Sequence, residues 1–254
     1  MRVDRLLTIL QQLTGTLALA VFTAALGSLQ IGYSLGVINA PQKVIQKHYA
    51  KSLGVYKEDL YHRDGVNSTE QENSTAPSVV MYWSLSVAIF SIGGMVSSFL
   101  VGFVSDVRGR IKGMLAINVL AITAGLLMGL AKMGTSHLMV IAGRAIMGLY
   151  CGLTSGLVPM YIGAISPVKY RGTLGTLHQL ALVTGIFLSQ VIGLEFLLGN
   201  DDMWPVLLGL SGAPAILQCL LLLLCPESPR YLYIKLGKKE EACKSDDMRT
   251  TQAK

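Results

Sequence analysis

The chain has 254 residues, 52% of them hydrophobic and only 14% charged, with a mean hydropathy of +0.52. These proportions exclude an ordinary soluble domain and a disordered segment and place the protein in the membrane class. The net charge of +6 does not indicate a nucleic-acid binder, because the basic residues follow the ends of apolar runs instead of forming one patch.

Apolar runs at 16–38, 79–103, 113–133, 138–163, 175–198 and 205–225 are each long enough to cross a bilayer as a helix. The predicted fold is an all-α integral membrane bundle of six transmembrane helices over residues 1–225, followed by a cytoplasmic tail, 226–254. Arg2 and Arg5 precede the first run, and no small-residue cleavage site closes it, so it is expected to be retained rather than cleaved.

The first span carries Gly27, Gln30, Gly32, Tyr33, Ser34, Gly36 and Asn39 before Pro41, too many polar and small residues for a lipid-facing helix. Its glycines permit either close helix packing or local unwinding. A long polar segment, 41–78, follows and is read as an outer loop; Asn67 and Asn73 each open a glycosylation sequon within it.

Gly102 to Gly113, GFVSDVRGRIKG, joins the second and third spans and reads as a tight turn at Gly102 and Gly109, with Asp106 able to pair with Arg108 or Arg110. The fourth span spaces Gly148, Gly152 and Gly156 four residues apart, a stripe along which a neighbouring backbone can approach closely. Its Arg144 lies inside the span and must find a partner, with Glu195 and backbone carbonyls as the options, or snorkel. The first and fourth spans share this glycine-rich composition, as two inverted three-helix repeats would require.

In the fifth span Thr176, Gln179, Ile186 and Gln190 fall near one another on the helical wheel. A carboxamide offers two donors and two acceptor lone pairs without a charge to bury, which suits a neutral polyhydroxyl ligand; bonding to a neighbouring helix is the alternative.

Lysine and arginine count gives the orientation. With the N-terminus inside, the inner segments hold fourteen basic residues and the outer segments six, so both termini are expected on the cytoplasmic side. Cys151, Cys219, Cys225 and Cys243 have no paired spacing and no accompanying histidines, so neither a disulfide framework nor a metal site is expected. No nucleotide-binding GxxxxGK[ST], GxSxG or HExxH occurs, so no cofactor and no enzymatic activity are expected. His178, beside Gln179, can either bond within a cavity or serve packing.

Three blocks in order, QIGYSLGVINAPQ (Gln30 to Gln42), GRAIMGLYCGLTSGLVPMYIGAISPVKYRGTLGTLHQL (Gly143 to Leu180) and PESPRYLYIKL (Pro226 to Leu236), resemble the sugar-porter family of the major facilitator superfamily, more narrowly the facilitative glucose transporters. The resemblance implies uniport of D-glucose or a related hexose across the plasma membrane by alternating access. It makes Gln179 the sugar contact, Leu182 and Ile186 lining residues, and Gln190, Tyr33 and Asn39 further contacts. It gives Asp106, Arg108, Gly109, Arg110, Arg144, Arg171, Glu227 and Arg230 gating or structural roles.

The resemblance also implies a C-terminal six-helix half that is absent from this chain, so a non-transporting membrane protein acting only through association is the competing expectation. Two positions depart from the family pattern. Ala164 stands where a glutamate is usual, and Val107 where an arginine usually follows the aspartate. The inner charge network is therefore expected to hold the outward-open state less firmly, and unchanged transport after Ala164→Glu would refute this.

Overall fold

The computed structural model describes residues 15–55, 76–133, 137–166 and 170–224. Its helices are α1 (Gly15–Gly36), α2 (Gln42–Ser52), α3 (Pro77–Arg108), α4 (Arg110–Gly129), α5 (His137–Ile165), α6 (Arg171–Ile192), α7 (Trp204–Gly209) and α8 (Ala213–Leu222). A 3-10 turn, Leu210–Gly212, joins α7 to α8. There Pro214, near the start of α8, supplies no backbone N–H to continue the preceding helix. Six segments are long and apolar enough to cross a membrane, with α7 and α8 together forming the sixth. The described residues contain no strand, in line with an all-α bundle.

Four predicted boundaries are corrected. The segment 41–78 is not wholly loop: Gln42–Ser52 is helical, because Ile45, Tyr49 and Ala50 recur on one face and all three are fully buried. The turn predicted across Gly102 and Gly109 is a single residue, Gly109, at φ 80°, while Gly102 lies inside α3. The fifth helix ends at Ile192 instead of 198, because Gly193 and Gly199 pack backbone to backbone in a turn. The sixth span starts at Trp204 and carries the 3-10 interruption.

Glycines decide how the helices pair. In α1, Gly32 lies against the Leu182 carbonyl of α6, and in return Gly185 of α6 lies against the Leu29 carbonyl of α1. In α5, Gly148 lies against the Phe90 carbonyl of α3, and Gly93 of α3 against the Ala145 carbonyl of α5. Gly36 meets the Ser189 hydroxyl just as Gly152 meets that of Ser97. No Cβ fits at these points without moving backbone or a buried hydroxyl, so the helices touch main chain to main chain. Gly156 continues the predicted stripe against Val101.

These contacts obey one register. Leu29, Gly32 and Gly36 lie 116 residues before Ala145, Gly148 and Gly152, while Phe90, Gly93 and Ser97 lie 92 residues before Leu182, Gly185 and Ser189. α1 thus corresponds to α5, and α3 to α6. Each repeat contains three crossings, so the second enters from the opposite face, as inverted repeats require.

Candidate functional site: the open face of α6

α6 is the least enclosed of the six spans, with 11% of its most apolar window buried, followed by α3 at 17%. One face of α6 is fully engaged: Gly185 and Ser189 are buried against α1, and the Ser28 hydroxyl lies 2.6 Å from Nδ1 of His178 across the same seam. Turning away from the seam come Leu182 and Ile186, half-buried, and then Gln179, exposed. The Gln179 carboxamide bonds no described residue. A carboxamide flanked by aliphatic side chains offers donors and acceptors to a neutral ligand whose C–H faces can rest on leucine and isoleucine. Thr176, on the same stripe, is exposed and returns its hydroxyl to Thr173 O at 2.7 Å.

The remaining predicted contacts are placed differently. Tyr33 is 4% exposed, and its hydroxyl donates to Leu207 O of α7 at 2.9 Å, so it ties α1 to the sixth span. Gln190 Nε2 donates to Gly36 O at 3.1 Å, the interhelical bond that stood as the alternative for these amides. Asn39 is exposed in the turn after α1.

Arg144 is 2% exposed and does not snorkel. Its Nη1 donates to Ser34 O at 2.8 Å, and its guanidinium carbon lies 4.3 Å from the Phe90 ring centroid. Of the expected partners the backbone carbonyl is the one used; Glu195 is exposed in the turn after α6. A ring face and one carbonyl compensate the buried cation only in part, and Nε has no partner among the described residues.

Four of the residues expected to have gating or structural roles lie at one end of the bundle. Asp106 lies in the last turn of α3, Gly109 forms the junction, Arg110 opens α4 and Arg171 opens α6, exposed. Arg108 closes α3. Glu227, Arg230, Asn67 and Asn73 lie outside the described residues.

Gln30, expected only as one of the polar residues of the first span, and Gln218, which was not singled out, complete the polar interior. Gln30 Nε2 donates to Ser211 O at 2.9 Å while its Oε1 accepts from Tyr150 at 2.8 Å, and Gln218 Nε2 donates to Thr23 O at 3.0 Å. At the end of the bundle opposite Gly109, Lys47 pairs with Asp201 at 2.7 Å and Lys132 with Asp202 at 2.8 Å. A short apolar period in 42–52 was the available signal for α2. Nothing in the sequence marked which carbonyl each amide would meet.

Residues 20–254 match the family profile described as "Sugar (and other) transporter". The chain is 60% identical over 261 aligned residues to solute carrier family 2, facilitated glucose transporter member 2, of Gallus gallus, covering 92% of this chain and 49% of that protein. It is 55% identical to member 4 of Homo sapiens, covering 92% and 44%. Among solved structures, the major facilitator proton:xylose symporter XylE bound to 6-bromo-6-deoxy-D-glucose superposes with a TM-score of 0.71 at 25% identity, over 92% of this chain and 50% of that one. The chain spans about half the length of the curated relatives it matches. On this evidence it belongs to the sugar transporter family of the major facilitator superfamily, whose members are membrane-embedded transporters and not enzymes.

Proposed function

We propose that this chain supplies the N-terminal half of a facilitative hexose uniporter, with D-glucose or a related hexose held near the bilayer midplane against α6. The observation that carries the reading is Gln179: an exposed carboxamide, unengaged among the described residues and flanked by Leu182 and Ile186, in a chain of the sugar transporter family. Its amide exchanges hydrogen bonds with sugar hydroxyls, and no charge has to be desolvated when the ligand binds.

Tyr33 and Gln190 serve the same reading indirectly, by holding α1 against the sixth span and α6. A second six-helix half closes the other side of the binding site, and rocking of one half against the other alternates access. Asp106, Arg110 and Arg171, at the end assigned to the cytoplasm by the charge count, latch the inner helix ends. The plasma membrane, with both termini cytoplasmic, is the proposed location.

The test joins this chain to the second half of the Gallus gallus relative and measures hexose uptake into liposomes. Gln179→Leu is expected to raise KM about tenfold with the protein still folded, as loss of the hydrogen bonds made by one side chain predicts. Unchanged KM, together with failure of water-soluble thiol reagents to modify Gln179→Cys, would refute the reading.

A further inference from the structure

Ser28 in α1, like Ser52 in α2, bonds a histidine ring nitrogen instead of a carbonyl of its own helix. Thr23, Ser86, Ser97, Ser189 and Ser211 each donate to a carbonyl three or four residues back in their own helix. Ser28 is fully buried, and its one side-chain bond among the described residues is to Nδ1 of His178, at 2.6 Å.

A hydroxyl that has not given its proton to its own helix gives it to the unprotonated nitrogen of a neutral imidazole, and the ring hydrogen then sits on the other nitrogen. Nδ1 accepts from Ser28, and Nε2 carries the N–H. That nitrogen bonds no described residue and is not among the buried polar atoms left without a partner, while the ring as a whole is half-buried. The donor is therefore open.

Its surroundings are fixed by close backbone contact between α1 and α6. Gly32 against Leu182 O and Gly185 against Leu29 O hold the α1 and α6 backbones in contact within two helical turns C-terminal to the Ser28–His178 bond. His178 is adjacent to Gln179 and one helical turn before Leu182, so the ring borders the stripe already assigned to the sugar.

We propose that His178 is a second hydrogen-bond donor to the sugar, with its tautomer set by Ser28 so that Nε2–H meets a hydroxyl oxygen beside the Gln179 carboxamide. The inference rests on the sugar-binding reading of α6 and adds a specificity element to it. A site with a fixed donor at this point discriminates against a deoxyhexose that lacks the matching oxygen.

Two measurements test it. In bilayers containing the 15N-histidine-labelled chain, His178 is expected to show a pyridine-type Nδ1 and a pyrrole-type Nε2, and Ser28→Ala to mix the two tautomers. A protonated Nδ1 in the parent chain would overturn the proposal. In the joined transporter, His178→Asn keeps a polar group at the Nδ1 position and removes Nε2, whereas His178→Gln restores an amide donor near Nε2.

Hexose KM is expected to rise roughly three- to tenfold for His178→Asn with kcat unchanged, and to stay within about twofold of the parent for His178→Gln. Selectivity against one monodeoxy-glucose is expected to be lost in His178→Asn alone. A parent-like KM and selectivity in His178→Asn, while Gln179→Leu still raises KM, would defeat the histidine role and leave the sugar reading standing. Parent-like behaviour of both variants would defeat both. Should the histidine variants not reach the membrane, the nitrogen spectrum of the parent chain decides.

Discussion

At the α1–α6 seam Ser28 faces His178, whereas at the α3–α5 seam the corresponding positions, 116 residues on from Ser28 and 92 residues back from His178, hold Arg144 and Ser86. The main-chain frame is the same in both, down to Ser97 and Ser189, which are fully buried and return their hydroxyls to the carbonyls of Gly94 and Ile186. The large polar side chain has changed helix, from α6 in one seam to α5 in the other, and its fate differs. His178 is half-buried at the edge of an open face, while Arg144 is sealed between Ser34 O and the Phe90 ring. Duplication has preserved backbone contact, where a single methyl group is excluded, and left the side chains beside it free to take different work.

The sharpest way to break this comparison is to add a Cβ at equivalent points. Gly36→Ala and Gly152→Ala each place a methyl group against a buried serine hydroxyl and a carbonyl, and each is expected to destabilise the bundle by about 3 kcal/mol. Gly163→Ala, in α5 with open space around it, is expected to be neutral or to stabilise by up to about 1 kcal/mol. Thermal midpoints of the detergent-purified chain give the ranking. If Gly36→Ala is tolerated as well as Gly163→Ala, the two seams are not equivalent.

Arg144 sharpens the contrast in chemistry. Arg144→Ala is expected to cost about 2–4 kcal/mol, since it leaves a void beside Phe90 and removes the bond to Ser34 O. Arg144→Met keeps most of the volume and relieves a buried cation that has no carboxylate partner among the described residues, so it is expected to fall within about 1 kcal/mol of the parent. Equal losses for the two variants would mean that the charge, and not the space it fills, stabilises this seam.

Much of this frame was legible in advance because its physics is periodic. Gly148, Gly152 and Gly156 marked a close-packed stripe by spacing alone, and span length fixed six crossings. The register was also present, since Gly27, Gly32 and Gly36 precede Gly143, Gly148 and Gly152 by one constant interval, yet a composition-level likeness of two spans does not reveal it. Gln179 was legible as a carboxamide on a polar stripe of the fifth span, and it is exposed. The candidate site was not legible at Tyr33 or Gln190, because a wheel shows the direction of a side chain and not the distance to a carbonyl on another helix. Gln42–Ser52 was hidden by its charges: four of its eleven residues are lysine or histidine, and the apolar face reads as a helix only once the surface it covers is known.

That helix supplies the smallest and last test, because among the paired helices it packs chiefly on α3 and α5. α2 packs over the N-terminal ends of α3 and α5, with Ser52 bonded to His137 at 2.7 Å, and its His48 ring lies 5.0 Å from the Trp204 ring of α7. Burial, then the nearby His137, Lys51 and Lys132, hold the His48 imidazole below its ordinary pKa. The folded protein thus takes up its proton at lower pH than the unfolded chain does. Stability is full above the unfolded value of about 6.5, falls as the pH drops through it, and levels off below the folded value. The thermal midpoint of the chain is expected to be flat from about pH 8 to 7 and to decline toward pH 5, with the decline reduced in His48→Gln. Because α2 packs chiefly on α3 and α5, the same acidification should increase hydrogen exchange in the first turns of α3 and α5 before the last turns of α1 and α6. Equal loss at both seams would show that the strap belongs to the whole bundle.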